Sequence, residues 1–556
     1  MQILARYEND APTIRVYGYL GSLDAQFLNC HFDKSDNSWV LPYGALHELM
    51  QCLSALPYVY VDEVSKGLTD GGDALLQSLK GQRLGADYIH KTPPFRHQVE
   101  GYYYGLACPR FLLGDEQGLG KTKQAIDLAV NRKALYGIRH CLIIAGVSSL
   151  RFNWASEIEK HSDEGCHILG QRTLRNGRVA LKMNKEKLED AKRIGELPFF
   201  VVTNIESIRD PGVRQELANA CASGEIGMIV FDEFHRCKNP ETKQGKAILA
   251  LTAPYEMAMT GTPVLNTPLD LYTVLAWLGI EKHNYYQFRK FYCYMNGREV
   301  TGYKNQDILR QSLQGHMLRR KKSEELPDLP PKIYTDELLE LEGNQRAVYE
   351  AIREEIKSNL VDVYASPNPL AKMVRLRQAT GFPGIVSESV TESVKLRRMV
   401  EIVEDVASNG KKCVVFTNWV EVANEAARLL SDFCPALYHG ANPDAEADKE
   451  RFMTDPKCKV LIGTIPKMGV GFTLTVATTC VFLDEPWNKG TKEQCEDRLH
   501  RIGTTEPISV ITLMCKDTID QRINDMVYAK GKMAEWLVDG KVRKAFAKSA
   551  VDYLIS

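Results

Sequence analysis

Phe111-Leu-Leu-Gly-Asp-Glu-Gln-Gly-Leu-Gly-Lys-Thr122 runs from an apolar strand through a glycine loop into a helical stretch, Lys123–Val130. Gly118 and Gly120 let the backbone curl so that its N–H groups face a phosphate. The helix that follows adds the positive end of its dipole. Lys121 is placed to bridge β- and γ-phosphates, and the Thr122 hydroxyl to ligate Mg2+. The strict phosphate-loop pattern wants Gly where Asp115 stands, so the match has one fault. The bland alternative is a strand–helix turn that binds nothing, and a Gly-Lys-Thr triplet between a strand and a helix argues against it.

Working outward, short and nearly continuous apolar runs follow one another between helical segments. From about Pro93 to Lys332 they are Phe111–Leu113, Cys141–Ala145, Phe199–Val202, Met228–Phe231 and Met257–Met259. After Ser393 they return as Cys413–Phe416, Val460–Ile462, Thr479–Leu483 and Ile508–Leu513. Continuous apolar strands alternating with helices predict parallel sheets covered on both faces. The fold class is therefore α/β, two parallel-sheet lobes in tandem after a small α+β N-terminal domain.

The predicted divisions are 1–65 for the small domain, with β-like runs at Gln2–Tyr7, Thr13–Leu20, Trp39–Leu41 and Tyr58–Val61 and a helix near Tyr43–Ala55. A connector, 66–92, leads to the first lobe, 93–332. A helical linker region, 333–392, precedes the second lobe, 393–525, and a basic helical tail, 526–556, closes the chain. That tail either touches DNA or packs on the second lobe.

Further chemistry-bearing groups fall at strand ends. Met228-Ile-Val-Phe-Asp-Glu-Phe-His235 ends an apolar strand in two carboxylates, with Asp232 aimed at Mg2+ and Glu233 at the water that attacks the γ-phosphate. Met259-Thr-Gly-Thr262 follows another strand, and Thr260, Gly261 and His235 are candidate couplers. In Gln494-Cys-Glu-Asp-Arg-Leu-His-Arg501 the spacing of Gln494, Arg498 and Arg501 puts them on one helical face. Arginine there suits a transferring phosphoryl group, since its planar fork keeps its charge. Arg319, Arg320, Lys321 and Lys322 either hold a phosphate, fix the lobes, or form a solvated charge run.

With these motifs in this order, the chain resembles the SWI/SNF-type branch of superfamily 2 helicase-like ATPases over about Pro93–Ile523, which implies that the two parallel-sheet lobes are RecA-like. Phe95-Arg-His-Gln98 is similar to its adenine-reading element, with Gln98 as the contact. Leu150–Trp154 with Glu157, and Val201–Ile208, resemble its DNA-side motifs. Met317–Lys322 with Asp328–Lys332, Gly469–Thr475, Trp487-Asn488 and Asp497–Gly503 are further family hallmarks. The sequence departs at Thr504, Lys467-Met468 and Lys489. The likeness is strongest to the annealing-helicase branch, and Phe32-Asp through Trp39-Val-Leu-Pro42 resembles the HARP-type domain found there.

The resemblance implies a DNA-dependent ATPase that uses ATP and Mg2+ and translocates on duplex or branched DNA, annealing or remodelling forks. ATP is expected between lobes, touched by Gln98, Gly118, Gly120, Lys121, Thr122 and Gln494, with Asp232 and Thr122 on the metal. Lys121, Glu233, Arg498 and Arg501 are the expected catalytic residues. His235, Thr260, Gly261, Gly469 and Gly471 are the expected couplers, and Trp154, Asn204, Thr464 and Lys467 the expected DNA contacts. A strand-separating helicase on DNA or RNA, and an ATP-switched clamp, remain as alternatives.

Bulk properties constrain the setting. At 556 residues, three or four folding units are expected, and 44% hydrophobic with 25% charged residues is the balance of a soluble protein. No apolar run approaches about 18 residues, so no membrane association is expected. The first residues turn acidic too soon for a signal-peptide core. A cytoplasmic or nucleoid setting, nuclear in a eukaryote, and a monomeric motor follow as expectations. The 14 cysteines include no Cys-x-x-Cys pair, so no zinc site is expected. Net charge is −1, so any polyanion surface must arise from local segregation of charge.

Overall fold

The computed structural model describes residues 2–8, 11–17, 31–33, 38–42, 59–62, 88–146, 150–173, 179–181, 184–263, 267–297, 299–358, 370–469, 473–501 and 503–527. The chain divides into two compact units, Met1–Glu325 and Leu326–Ser556.

The first unit opens with five strands, β1 (Gln2–Glu8), β2 (Ala11–Tyr17), β3 (His31–Asp33), β4 (Ser38–Pro42) and β5 (Val59–Asp62), in the order β3-β4-β2-β1-β5. Trp39 pairs with Phe32 on one side and Val16 on the other, so the residues that resemble a HARP-type domain lie on the β3–β4 hairpin. Arg15 of β2 binds Asp33 of β3 at 2.8 Å, across β4. The helix expected at Tyr43–Ala55 lies outside the described residues.

The main sheet of this unit follows. Its elements are α1 (Arg96–Ala107), β6 (Arg110–Leu113), α2 (Lys121–Tyr136), β7 (His140–Ala145), α3 (Leu150–His161), β8 (Cys166–Ile168), β9 (Phe200–Asn204), β10 (Ile226–Asp232), β11 (Tyr255–Met259), α4 (Tyr285–Tyr292), β12 (Cys293–Asn296), β13 (Glu299–Tyr303) and β14 (Met317–Leu318). The sheet order is β14-β6-β11-β10-β7-β9-β8, parallel throughout, while β12 and β13 form a separate antiparallel hairpin. Strands β7 and β9 are buried along their whole length, as helices on both faces require.

The second unit is a parallel six-stranded sheet, β15-β20-β19-β16-β18-β17, built from β15 (Lys332–Leu339), α5 (Val394–Ser408), β16 (Cys413–Thr417), β17 (Ala436–Tyr438), β18 (Val460–Thr464), β19 (Thr479–Phe482), α6 (Lys489–Glu496) and β20 (Ile508–Cys515). The expected helical linker is corrected at its start, because β15 pairs with β20 over eight residues. It is an edge strand whose apolar residues interleave with Asp336 and Glu337, so its backbone ladder, not an apolar run, makes it a strand. Helices at Gly343–Ser358 and Leu370–Gly381 then precede α5. Of the expected basic tail, residues from 528 onward lie outside the described residues.

Candidate nucleotide site

In the first unit, the loop between β6 and α2 is held open at its glycines, with Gly118 at φ +88° and Gly120 at φ +71°. These left-handed values are strained for any residue with a Cβ. At Gly120 a Cβ would also fall 2.3 Å from the Gln98 amide nitrogen. Lys121 reaches back to the carbonyls of Asp115 at 2.8 Å and Glu116 at 3.3 Å, so its ammonium lies over the loop that precedes it. Gln98 accepts from its own helix start, Phe95 N, at 2.9 Å, and its amide nitrogen lies 3.5 Å from the Gly120 carbonyl. His97 Nε2 lies 2.9 Å from the Leu119 carbonyl; burial lowers its pKa, so the neutral ring donates there.

The fault in the phosphate-loop pattern has a structural partner. Asp115 is fully buried and its carboxylate meets the Arg320 guanidinium at 2.5 Å, with further bonds from Arg320 Nε, Arg320 N and Gln124. Burial alone would raise this carboxyl, but Arg320 beside it holds it below the usual carboxylate range. Arg320 is 1% exposed and also donates to the His97 carbonyl and to Gln124. Arg319 binds the Gly114 carbonyl at 2.8 Å and the Gly261 carbonyl at 3.2 Å. Arg319 and Arg320 are therefore not a solvated charge run; both clamp the loop.

The strand-end acids stand beside this loop. Burial, then Glu233, pushes the Asp232 carboxyl up to about 6, against the lowering effect of a 3.0 Å bond from the Trp154 indole N–H. Glu233 sits at φ 54°, a left-handed position that costs a non-glycine residue energy and turns its side chain away from the strand. Gln117 donates to Glu233 Oε1 at 3.3 Å, and His235 Nδ1 lies 3.2 Å from Glu233 Oε2 and 3.0 Å from Thr260 Oγ1. Gly261 permits this packing, since a Cβ there would come within 2.8 Å of Gln117. Gln117 of the phosphate loop is thus hydrogen-bonded to Glu233 and His235 to Thr260 of the turn after β11, with Glu233 and His235 in contact between them. Hard oxygen donors at Asp232 and Thr122 suit Mg2+.

In the second unit, α6 ends at Glu496 and turns follow, so the shared helical face expected for Gln494, Arg498 and Arg501 is corrected. Their positions are set by tertiary bonds instead. Arg498 donates to the Gly469 carbonyl at 2.6 Å and Arg501 to the Thr473 hydroxyl at 2.8 Å, while Gln494 is buried. Lys332 anchors the segment through Glu496 at 2.8 Å and Asp497 at 2.9 Å, and Tyr334 and His500 add bonds to Glu496 and the Pro330 carbonyl. The Leu-Pro-Pro-Lys332 hallmark and the arginine segment are one construction.

Two families of sequence match this chain, the SNF2-related domain over residues 97–385 and the helicase conserved C-terminal domain over 394–503. The chain belongs to the SNF2-related family. This SNF2-related chain is 28% identical over 530 residues to a SWI/SNF-related matrix-associated actin-dependent regulator of chromatin subfamily A-like protein 1 of Xenopus laevis, which covers 90% of this chain and 51% of that protein. It is 25% identical over 480 residues to the DNA annealing helicase and endonuclease ZRANB3 of Bos taurus, covering 82% and 41%. The chain spans about two fifths to one half of these relatives' length. The Sulfolobus solfataricus SWI2/SNF2 ATPase core in complex with dsDNA is similar at 23% identity and TM-score 0.38, covering 83% of this chain and 96% of that one.

Within this SNF2-related chain, two expected DNA contacts are corrected. The Trp154 side chain is 1% exposed and faces Asp232. Asn204 is buried and bonded to Glu206 and Ser207. Both lie inward because the helix or strand that carries them packs its apolar face there. Thr464 is buried at the end of β18, whereas Lys467 is exposed with its ammonium 5.4 Å from the Tyr438 ring. Gly471 lies outside the described residues. Sequence reasoning missed the pairing of Asp115 with Arg320 and the place of Gln117; an acid inside a glycine loop was the available signal, because a buried carboxylate demands a cation. No helix among the described residues is long and apolar enough to cross a membrane.

Proposed function

We propose that this chain is an ATPase that couples hydrolysis to translocation on duplex or branched DNA, annealing or remodelling forks. The observation that carries the reading is the Glu233–His235–Thr260 set, which ties the acid beside the phosphate loop to the turn after β11. A hydrolase that only turned over nucleotide has no need of such a link. The similarity to proteins named DNA annealing helicase supports DNA as the track.

In this reading Lys121 and the loop N–H groups hold the phosphates, Gln98 meets the adenine, and Gln494 borders the nucleotide. Thr122 and Asp232 hold Mg2+, which when bound neutralises phosphate charge. Glu233 orients the attacking water and accepts its proton. Arg498 and Arg501 stabilise charge on the transferring phosphoryl group, and Gly469, whose carbonyl holds Arg498, relays motor state. Lys467 and the backbone near Thr464 meet DNA phosphates, so binding weakens with salt.

The test is ATP turnover with blunt duplexes of increasing length, beside single-stranded and forked DNA. Turnover rising with duplex length is expected, and Lys121→Ala abolishes turnover while DNA binding survives. Turnover indifferent to every DNA refutes the proposal.

A further inference from the structure

Helix α4 and the β12–β13 hairpin that follows it carry an unusual surface. The buried side of α4 is Phe288 and Tyr292, so its outward rows are Tyr286 with Lys290 and Gln287 with Phe291. Tyr286 is 73% exposed and Phe291 48%. The chain passes directly into β12, where Tyr294 pairs with Gly302 and is 58% exposed. A Cβ on Gly302 would fall 3.3 Å from a carbon of the Tyr294 ring, so the glycine leaves room for the ring beside the hairpin backbone. Lys304 stands 5.6 Å from that ring, and Asn305 binds the Phe291 carbonyl at 2.9 Å, which fixes the end of the hairpin beside the end of α4.

Charge distinguishes this surface from a bare apolar patch. Residues 282–310 contain six Lys or Arg and two acidic residues, in a chain whose net charge is −1. Lys282 and Lys290 are exposed and Lys304 is half-buried. Exposed aromatic side chains interleaved with cations match a strand that offers bases and phosphates alternately. A regular duplex hides its base faces, so the rings have no purchase on it. An unpaired strand presents them.

We propose that α4 and the β12–β13 hairpin bind unpaired nucleotides of a DNA strand, with bases stacked on Tyr286, Phe291 and Tyr294 and phosphates met by Lys290 and Lys304. This rests on the reading of the chain as a DNA-acting ATPase and adds the part of the DNA that this face takes. The surface lies apart in sequence from the nucleotide loop and carries none of its residues.

The experiment uses the full chain and three properties: anisotropy of a labelled oligo-dT strand, anisotropy of a labelled blunt duplex, and ATP turnover stimulated by blunt duplex. Tyr286→Ala/Tyr294→Ala should lose about tenfold in oligo-dT affinity, since each stacked ring contributes at least severalfold. Duplex affinity and duplex-stimulated turnover should stay within about twofold, a comparison that also reports folding. Tyr286→Phe/Tyr294→Phe should restore oligo-dT binding, because stacking needs the ring and not the hydroxyl. Unchanged oligo-dT binding in the alanine variant overturns the proposal and leaves the rings to a protein partner. Equal loss on both DNAs overturns it as well, since stacking on exposed bases predicts a difference. Wild-type chain that binds neither DNA and ignores both in turnover refutes the DNA reading itself, a result separate from either of these.

Discussion

Asp115 and Arg320, 205 positions apart in the chain, form a buried ion pair with Oδ2 and Nη2 at 2.5 Å. One belongs to the phosphate loop and the other to the segment just after β14. The pair also reaches the start of α1 through the His97 carbonyl and α2 through Gln124. The nucleotide loop, α1 and α2 are thereby pinned by one guanidinium.

Removing one partner leaves the other charged and buried, which costs about 3–5 kcal/mol. Arg320→Met and Asp115→Asn alone should therefore each lower the urea midpoint of the first unit and raise the KM for ATP. The double variant Asp115→Asn/Arg320→Met should recover a large part of both losses. Additive losses in the double variant would show that the two residues act separately.

The Trp154 indole donates to Asp232 Oδ2 at 3.0 Å, and Asp232 Oδ1 accepts from Glu233 N at 3.0 Å. Trp154→Phe keeps an aromatic ring and deletes only the donor on that side. A hydrogen bond to a charged group contributes about 1.5–3 kcal/mol, so kcat should fall about tenfold or more. If Asp232 is a metal ligand, the Mg2+ concentration for half-maximal ATP binding should rise too, measured by nucleotide titration without turnover. Unaltered kcat and Mg2+ dependence would remove Trp154 from the site.

Much of this architecture was legible in the chain because buried parallel strands leave continuous apolar runs. Cys141–Ala145 and Val460–Ile462 could be little else, and the strands there extend by only one or two residues. What escaped notice had weak local signal. Met317–Leu318 is two residues long, and β15 breaks its apolar residues with Lys332, Thr335 and the adjacent Asp336 and Glu337 on an exposed edge. The nucleotide loop was readable from Gly118, Gly120 and Lys121, since their chemistry is local. The Arg320 clamp and the inward turn of Trp154 were not, because each depends on a partner brought close only by the sheet. The same applies to Arg498 and Arg501, which helical spacing grouped but turns and tertiary bonds actually place.

Glu256 makes stability depend on pH. It is fully buried on β11, accepts from Ala253 N at 2.9 Å and lies 3.7 Å from Arg110. Burial, only partly offset by Arg110, pushes its carboxyl up to about 7. A carboxyl raised on folding favours the folded state below the ordinary value, and that favour is lost as pH rises from there through about 7. Glu256→Gln should therefore raise the free energy of unfolding at pH 8 by on the order of 2 kcal/mol and change it little at pH 4.5. A gain of equal size at both pH values would show that the charge is not its cause.

His235 is the narrowest point of the link between chemistry and the turn after β11. Its Nδ1 faces both Glu233 and Thr260, and the Thr260 hydroxyl in turn accepts from Thr262 N at 3.1 Å. Deleting the imidazole leaves Lys121, Thr122, Asp232 and Glu233 in place, so the groups proposed for chemistry remain. His235→Ala should hold basal ATP turnover near wild type while DNA stimulation falls by about fivefold or more, the scale of a typical coupling energy. Thr260→Val should act in the same direction, and combining the two should add little, since both cut one path. Basal and stimulated rates falling together would instead make His235 part of the chemistry, with Glu233 misplaced once its neighbour is gone.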